Sequence, residues 1–105
     1  FIKSACLEVL NNVENNISVA VVSERLFISK AYLSEKFKQI AGKSLSEYIY
    51  MAKMERAKYL LTNSSLKNYE IAEVLGYDDH EYFSKVFKKN TGFSPAVYRK
   101  EYQIS

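Results

Sequence analysis

A chain of 105 residues with 48% hydrophobic content, nine tyrosines and six phenylalanines has room for one domain, or two very small ones sharing a surface, and apolar side chains enough for a core. No apolar run approaches the ~20 residues of a bilayer-spanning helix and no signal-peptide pattern opens the chain, so a soluble protein is expected. The single Cys6, expected to pack as a small apolar residue, fits a reducing, cytoplasmic setting. One cysteine and one histidine far apart build no zinc site, and no metal or other cofactor is expected. A net charge of +3 is too mild to argue for nucleic acid, so the placement of charge must carry that case. The chain opens at Phe1, already inside a helical pattern, and reads as a piece of a longer protein.

Nearly every segment has helical spacing. Ile2, Ala5, Val9 and Val13 mark a first helix that Asn15-Asn16 breaks. Ser18 caps a short second helix carrying Val19, Val22 and Leu26. Ser29 caps a third, with Leu33, Phe37 and Ile40 on its apolar stripe and Gly42 closing it. Ser44-Leu-Ser-Glu47 has the capping-box form and opens a long helix, 44–62. Its stripe is Leu45, Tyr48, Ile49, Ala52, Ala57, Leu60 and Leu61, and Thr62-Asn63-Ser64-Ser65 ends it. Ile71, Val74 and Leu75 form a short helix stopped by Gly76. Asp78 or Asp79 caps the next, which buries Tyr82, Phe83, Val86 and Phe87 and stops at Gly92. Ser94-Pro95 opens a last helix with Val97 and Tyr98. Nothing reads as a strand, so the predicted fold is all-α with seven helices.

The chain also repeats itself. Tyr32 to Tyr48 pairs without gaps with Tyr82 to Tyr98, matching at Tyr32/Tyr82, Ser34/Ser84, Phe37/Phe87, Lys38/Lys88, Gly42/Gly92, Ser44/Ser94 and Tyr48/Tyr98. Self-similarity over that period means one supersecondary unit used twice. Each copy is a short helix, a tight turn, a second helix and a glycine. A small residue (Ser23, Ala72) three positions before an apolar leucine (Leu26, Leu75) lets the two helices approach closely. Such a helix-turn-helix leaves its second helix projecting, free to enter a major groove. The segments are 1–43 for the first unit, 44–62 for a connector helix and 63–105 for the second unit.

With the apolar positions removed, the second helices present Lys30, Ala31, Ser34, Glu35 and Lys38 in one copy, and His80, Glu81, Ser84, Lys85 and Lys88 in the other. These are small, polar or charged side chains on one stripe, as reading base edges requires. Lys30, Ala31, Ser34, Glu35, His80, Glu81, Ser84 and Lys85 are the base-reading candidates. Lys38, Lys88 and Lys89 are the phosphate candidates, with Lys36 and Lys43 nearby and backbone amides near Val19 and Tyr69 as further ones. Tyr32 and Tyr82 are expected in the core rather than as stacking platforms. The plain alternative, that these are ordinary solvated faces, is weakened by the connector. At 1.5 Å per residue the 44–62 helix is roughly 28 Å long, close to the ~34 Å between successive major grooves.

Taken in order, these residues resemble the DNA-binding domain of AraC/XylS-type bacterial transcription regulators. The likeness covers roughly residues 2–102. It rests on Ile71-Ala72, Leu75-Gly76-Tyr77, Tyr82 to Lys89, Thr91 to Pro95 and Tyr98-Arg99, with Lys53 to Leu61 in the connector and Tyr32-Leu33-Ser34, Phe37-Lys38 and Gly42 in the first copy. The resemblance implies two helix-turn-helix units joined by a long helix and binding to double-stranded DNA. It also implies activation through RNA polymerase, and a separate sensor or dimerisation domain. There are departures. Glu35 stands where a basic residue is common, so the first reader either favours cytosine amino groups or sits more loosely. Lys53 replaces an arginine, Phe27 stands where the second copy has Gly76, and Lys67 occupies the place of Ser18, which passes capping to Asn68. A helical module docking on an acidic protein surface is the alternative reading. An enzyme would need a nucleophile–base pair or metal cluster, and none is apparent.

Overall fold

The computed structural model describes residues 1–103 and, among them, seven α-helices and no strand. The helices are α1 (Ile2–Asn11), α2 (Val19–Leu26), α3 (Lys30–Ala41), α4 (Leu45–Asn63), α5 (Asn68–Val74), α6 (His80–Thr91) and α7 (Pro95–Tyr102). Positions 104 and 105 of the expected 63–105 segment lie outside the described residues. The chain forms two compact units, Phe1–Ala52 and Lys53–Ser105, with the division falling inside α4.

Capping chemistry sets where helices begin. Ser18, Ser29, Ser44 and Ser94 each accept a hydrogen bond through Oγ from the backbone N–H three residues on. Asp79 does the same for α6, its Oδ1 accepting from the Glu81 N–H at 2.9 Å. At α5 the expected transfer of capping to Asn68 does not occur. Glu70 reaches back instead, its Oε1 accepting from the Lys67 N–H at 2.8 Å. A carboxylate at the third helical position is pre-placed to meet that donor, which leaves the Asn68 amide for another partner.

In the first unit Ala5, Val9, Ile17, Val22, Leu33, Phe37, Leu45 and Ile49 make one buried cluster. Cys6, Val19, Leu26, Ile28, Tyr48 and Ala52 pack on its margin. In the second unit Met54, Ala57, Leu60, Leu61, Ile71, Ala72, Leu75, Phe83 and Phe87 are buried. The repeat has a packing counterpart: Tyr48 meets Phe37 edge-on at 5.7 Å, and Tyr98 meets Phe87 edge-on at 5.3 Å.

Three expected core residues are not core. Ile40 is 67% exposed, Tyr82 58% and Tyr32 48%. Periodicity places a residue on a side of its helix but does not say whether a neighbouring helix reaches that height. Only Leu33 and Phe37 in α3, and Phe83 and Phe87 in α6, are fully covered. Tyr32 instead lies against Phe1, and Tyr82 against Tyr77.

Two basic side chains of the second unit serve its architecture. Arg99 donates through Nε to the Leu61 carbonyl at 3.0 Å and through Nη2 to the carbonyls of Ser64 and Leu66. Those are orphan acceptors at the end of α4 and in the loop after it. Burial pulls the Lys53 ammonium below the usual lysine range. Its Nζ lies 5.1 Å from the Tyr77 ring centre, which returns part of the lost hydration as a cation–π contact.

Candidate nucleic-acid interface

Both units build the same hairpin. Ser23 in α2 and Ala72 in α5 are both buried, and small side chains at such positions permit close helix approach. The Ser23 hydroxyl donates to the Ala20 carbonyl at 2.8 Å, so its polarity is satisfied within α2. The turn is the same frame in each unit: the Ile28 N–H donates to the Ser23 carbonyl, and the Tyr77 N–H to the Ala72 carbonyl. The residue enclosed by that frame is left-handed in both, Phe27 at φ 58° and Gly76 at φ 86°. This is the Schellman ending, which normally selects glycine.

The second helices, α3 and α6, have twelve residues each and end on left-handed glycines, Gly42 and Gly92. On α3, Lys30, Ala31, Ser34, Glu35 and Lys38 are all exposed. Glu35 and Gln39 touch at 3.5 Å through the amide donor of Gln39, a neighbour that the sequence pattern did not single out although it lies one turn on. On α6, His80, Glu81, Lys85, Lys88 and Lys89 are exposed, and Ser84 is half-buried. The structure therefore gathers the candidates of each copy on the outer side of one helix. The Ser84 hydroxyl is already engaged, donating to the His80 carbonyl at 3.0 Å and accepting from Asn68 Nδ2 at 3.0 Å. The spacing of residues along one helix does not reveal this role of Asn68, because helix periodicity carries no information about contacts between helices.

Lys36 and Lys43 sit less freely than their neighbours. Lys36 Nζ lies 5.8 Å from the Tyr32 ring centre, and Lys43 Nζ is 3.4 Å from the Met51 sulfur. Among the described residues no group of histidine, cysteine, aspartate or glutamate is placed to hold a metal ion. None of the described helices is long and apolar enough to cross a membrane.

An all-α chain with two such hairpins, each presenting a polar second helix, defines a tandem helix-turn-helix domain. Residues 22–101 match the family described as helix-turn-helix domain. The Msm operon regulatory protein of Streptococcus mutans is 37% identical over 85% of this chain and 32% of its own length. The C-terminal domain of AraT, a response regulator from Geobacillus stearothermophilus, superposes with a TM-score of 0.90 at 36% identity, covering 99% of this chain and 87% of that one. The DNA-binding domain of AdpA, solved in complex with a target DNA, superposes with a TM-score of 0.86 over 96% of this chain and 91% of that one; at 21% identity this is a likeness of fold. The chain spans about a third of the length of most of the curated relatives it matches, 32% and 29% in two cases. It belongs to the helix-turn-helix family of AraC/XylS-type regulators.

Proposed function

We propose that this chain is the sequence-specific, double-stranded DNA-binding domain of a bacterial AraC-type transcription regulator. Each unit lays its second helix in a major groove, and the two readers occupy successive grooves. The observation that carries this reading is the division of labour on α3 and α6. Two buried side chains anchor each helix, Leu33 and Phe37 in one and Phe83 and Phe87 in the other, while its polar and charged candidates stand exposed, Ser84 alone being half-buried. The stripes Lys30, Ala31, Ser34, Glu35 and His80, Glu81, Lys85 face base edges, with the half-buried Ser84 beneath the second stripe, while Lys38, Lys88 and Lys89 face phosphates. The nineteen residues of α4 supply a connector of the length such an arrangement requires.

In this reading the domain catalyses nothing. The intact regulator works in the cytoplasm, activates transcription by contacting RNA polymerase, and carries a sensor or dimerisation domain beside this one. The test is selection of bound sites from a random duplex pool, followed by two substitutions. Lys85→Ala costs about 1–3 kcal/mol at one base pair and relaxes the preference there. Lys88→Ala weakens binding to selected and random duplexes alike and flattens the salt slope by about one. Identical behaviour of the two variants on both duplexes would contradict these roles.

A further inference from the structure

We propose that Ser84 is a positioning residue rather than a base reader, and that Asn68 acts through it to fix the setting of α6 and so the base preference of the second unit. The inference rests on the DNA-binding reading and sharpens it. The Ser84 hydroxyl has one hydrogen, and the His80 carbonyl takes it at 3.0 Å. The Asn68 amide must then present its nitrogen to the Ser84 oxygen, as it does at 3.0 Å. That orientation leaves Asn68 Oδ1 buried with no partner among the described residues.

A half-satisfied amide is a poor device for stability, because a buried acceptor without a donor costs more than an apolar side chain of similar size. The first unit shows the cheaper solution. Val19 opens α2 as Asn68 opens α5, and it packs on the hydrophobic cluster with no donor to offer. Ser34 and Ser84 are each the fifth residue of their reader helix, yet Ser34 is exposed and Ser84 half-buried. The hairpin therefore folds without the amide–hydroxyl pair, and the pair belongs to the second unit alone. It ties the first turn of α5 to the second turn of α6, between His80 and Lys85. Small changes in the rotation or height of α6 move those side chains together, and base readout tolerates little displacement.

The experiment uses the whole chain and four variants: Asn68→Val, Ser84→Ala, the double substitution, and Ser34→Ala for comparison. Affinity for the pool-selected duplex and for a scrambled duplex is measured alongside the melting temperature. Asn68→Val and Ser84→Ala are each expected to lower the selected-to-scrambled ratio by about threefold to tenfold, the worth of one net hydrogen bond. The loss is spread over the base pairs of the second block, scrambled-duplex affinity is unchanged, and the double variant is no worse than either single one. The melting temperature of Asn68→Val does not fall. The proposal is overturned if Ser84→Ala erases the preference at a single base pair while Asn68→Val leaves all preferences intact. It is equally overturned if neither changes the ratio, or if the ratio drops only with the melting temperature. A wild-type chain that prefers no duplex would instead sink the DNA-binding reading beneath it.

Discussion

Phe27 carries a conflict between sequence and backbone that its counterpart Gly76 avoids. Its left-handed φ of 58° sets its Cβ against the neighbouring carbonyl, and its ring is 94% exposed, so burial offsets none of that strain. The hairpin frame around it, formed by the Phe27 and Ile28 N–H groups, holds the conformation regardless. Phe27→Gly is therefore expected to stabilise the first unit by about 0.5–1 kcal/mol, strain relief less the added chain entropy of glycine. A higher denaturant midpoint at unchanged slope is the readout, and a lower midpoint would show that the ring makes stabilising contacts that outweigh the strain. Gly92 is the converse case. Its φ of 87° lies in open space, where an added Cβ meets nothing within 4 Å. Gly92→Ala should still cost about 1 kcal/mol from backbone strain alone. The positions of all three glycines were legible in the sequence because each follows a helical stripe, but the left-handed phenylalanine was legible only through its alignment with Gly76.

At the scale of helices, local chemistry was largely readable and its exceptions have local causes. Four serines cap as their positions require, because a short side chain with an acceptor needs only the next turn to work on. Lys67 has no such acceptor, and the cap at α5 had to come from Glu70. Tyr32, Ile40 and Tyr82 were misplaced because the width of a buried stripe depends on which helices lie beside it. Arg99 belongs to the same class of contact that periodicity cannot show. It joins α7 to carbonyls more than thirty positions earlier, the bond to Leu61 spanning 38 residues. Arg99→Ala leaves those carbonyls without their charged donor and should cost about 2–4 kcal/mol. Arg99→Lys should recover less than half of that, since one ammonium cannot span three acceptors as a planar fork does. Equilibrium unfolding of both variants checks the ranking, and equal stability of the two would rule out the fork.

For the whole molecule, the formal charge of +3 says less than where the lysines stand. Twelve acidic residues dilute fifteen basic ones, yet Lys38, Lys88 and Lys89 fall beside the two polar stripes. With three phosphate contacts, log affinity should fall against log salt with a slope of about −3. Titration of a selected duplex from low to moderate salt measures it. A slope near zero would mean that these lysines are ordinary solvated charges.

Sequence alone determined the number and kind of helices, most of their caps, the doubled hairpin and, Ser84 apart, which polar side chains stand exposed on each second helix. All of these depend on spacings within a turn or two, where the backbone's own period does the work. Tertiary structure alone decided that Tyr32 and Tyr82 stay at the margin of the core, that Arg99 closes the end of α4, and that Ser84 is held by Asn68. Those outcomes depend on which helix lies next to which and at what height, and no single helix's periodicity contains that information.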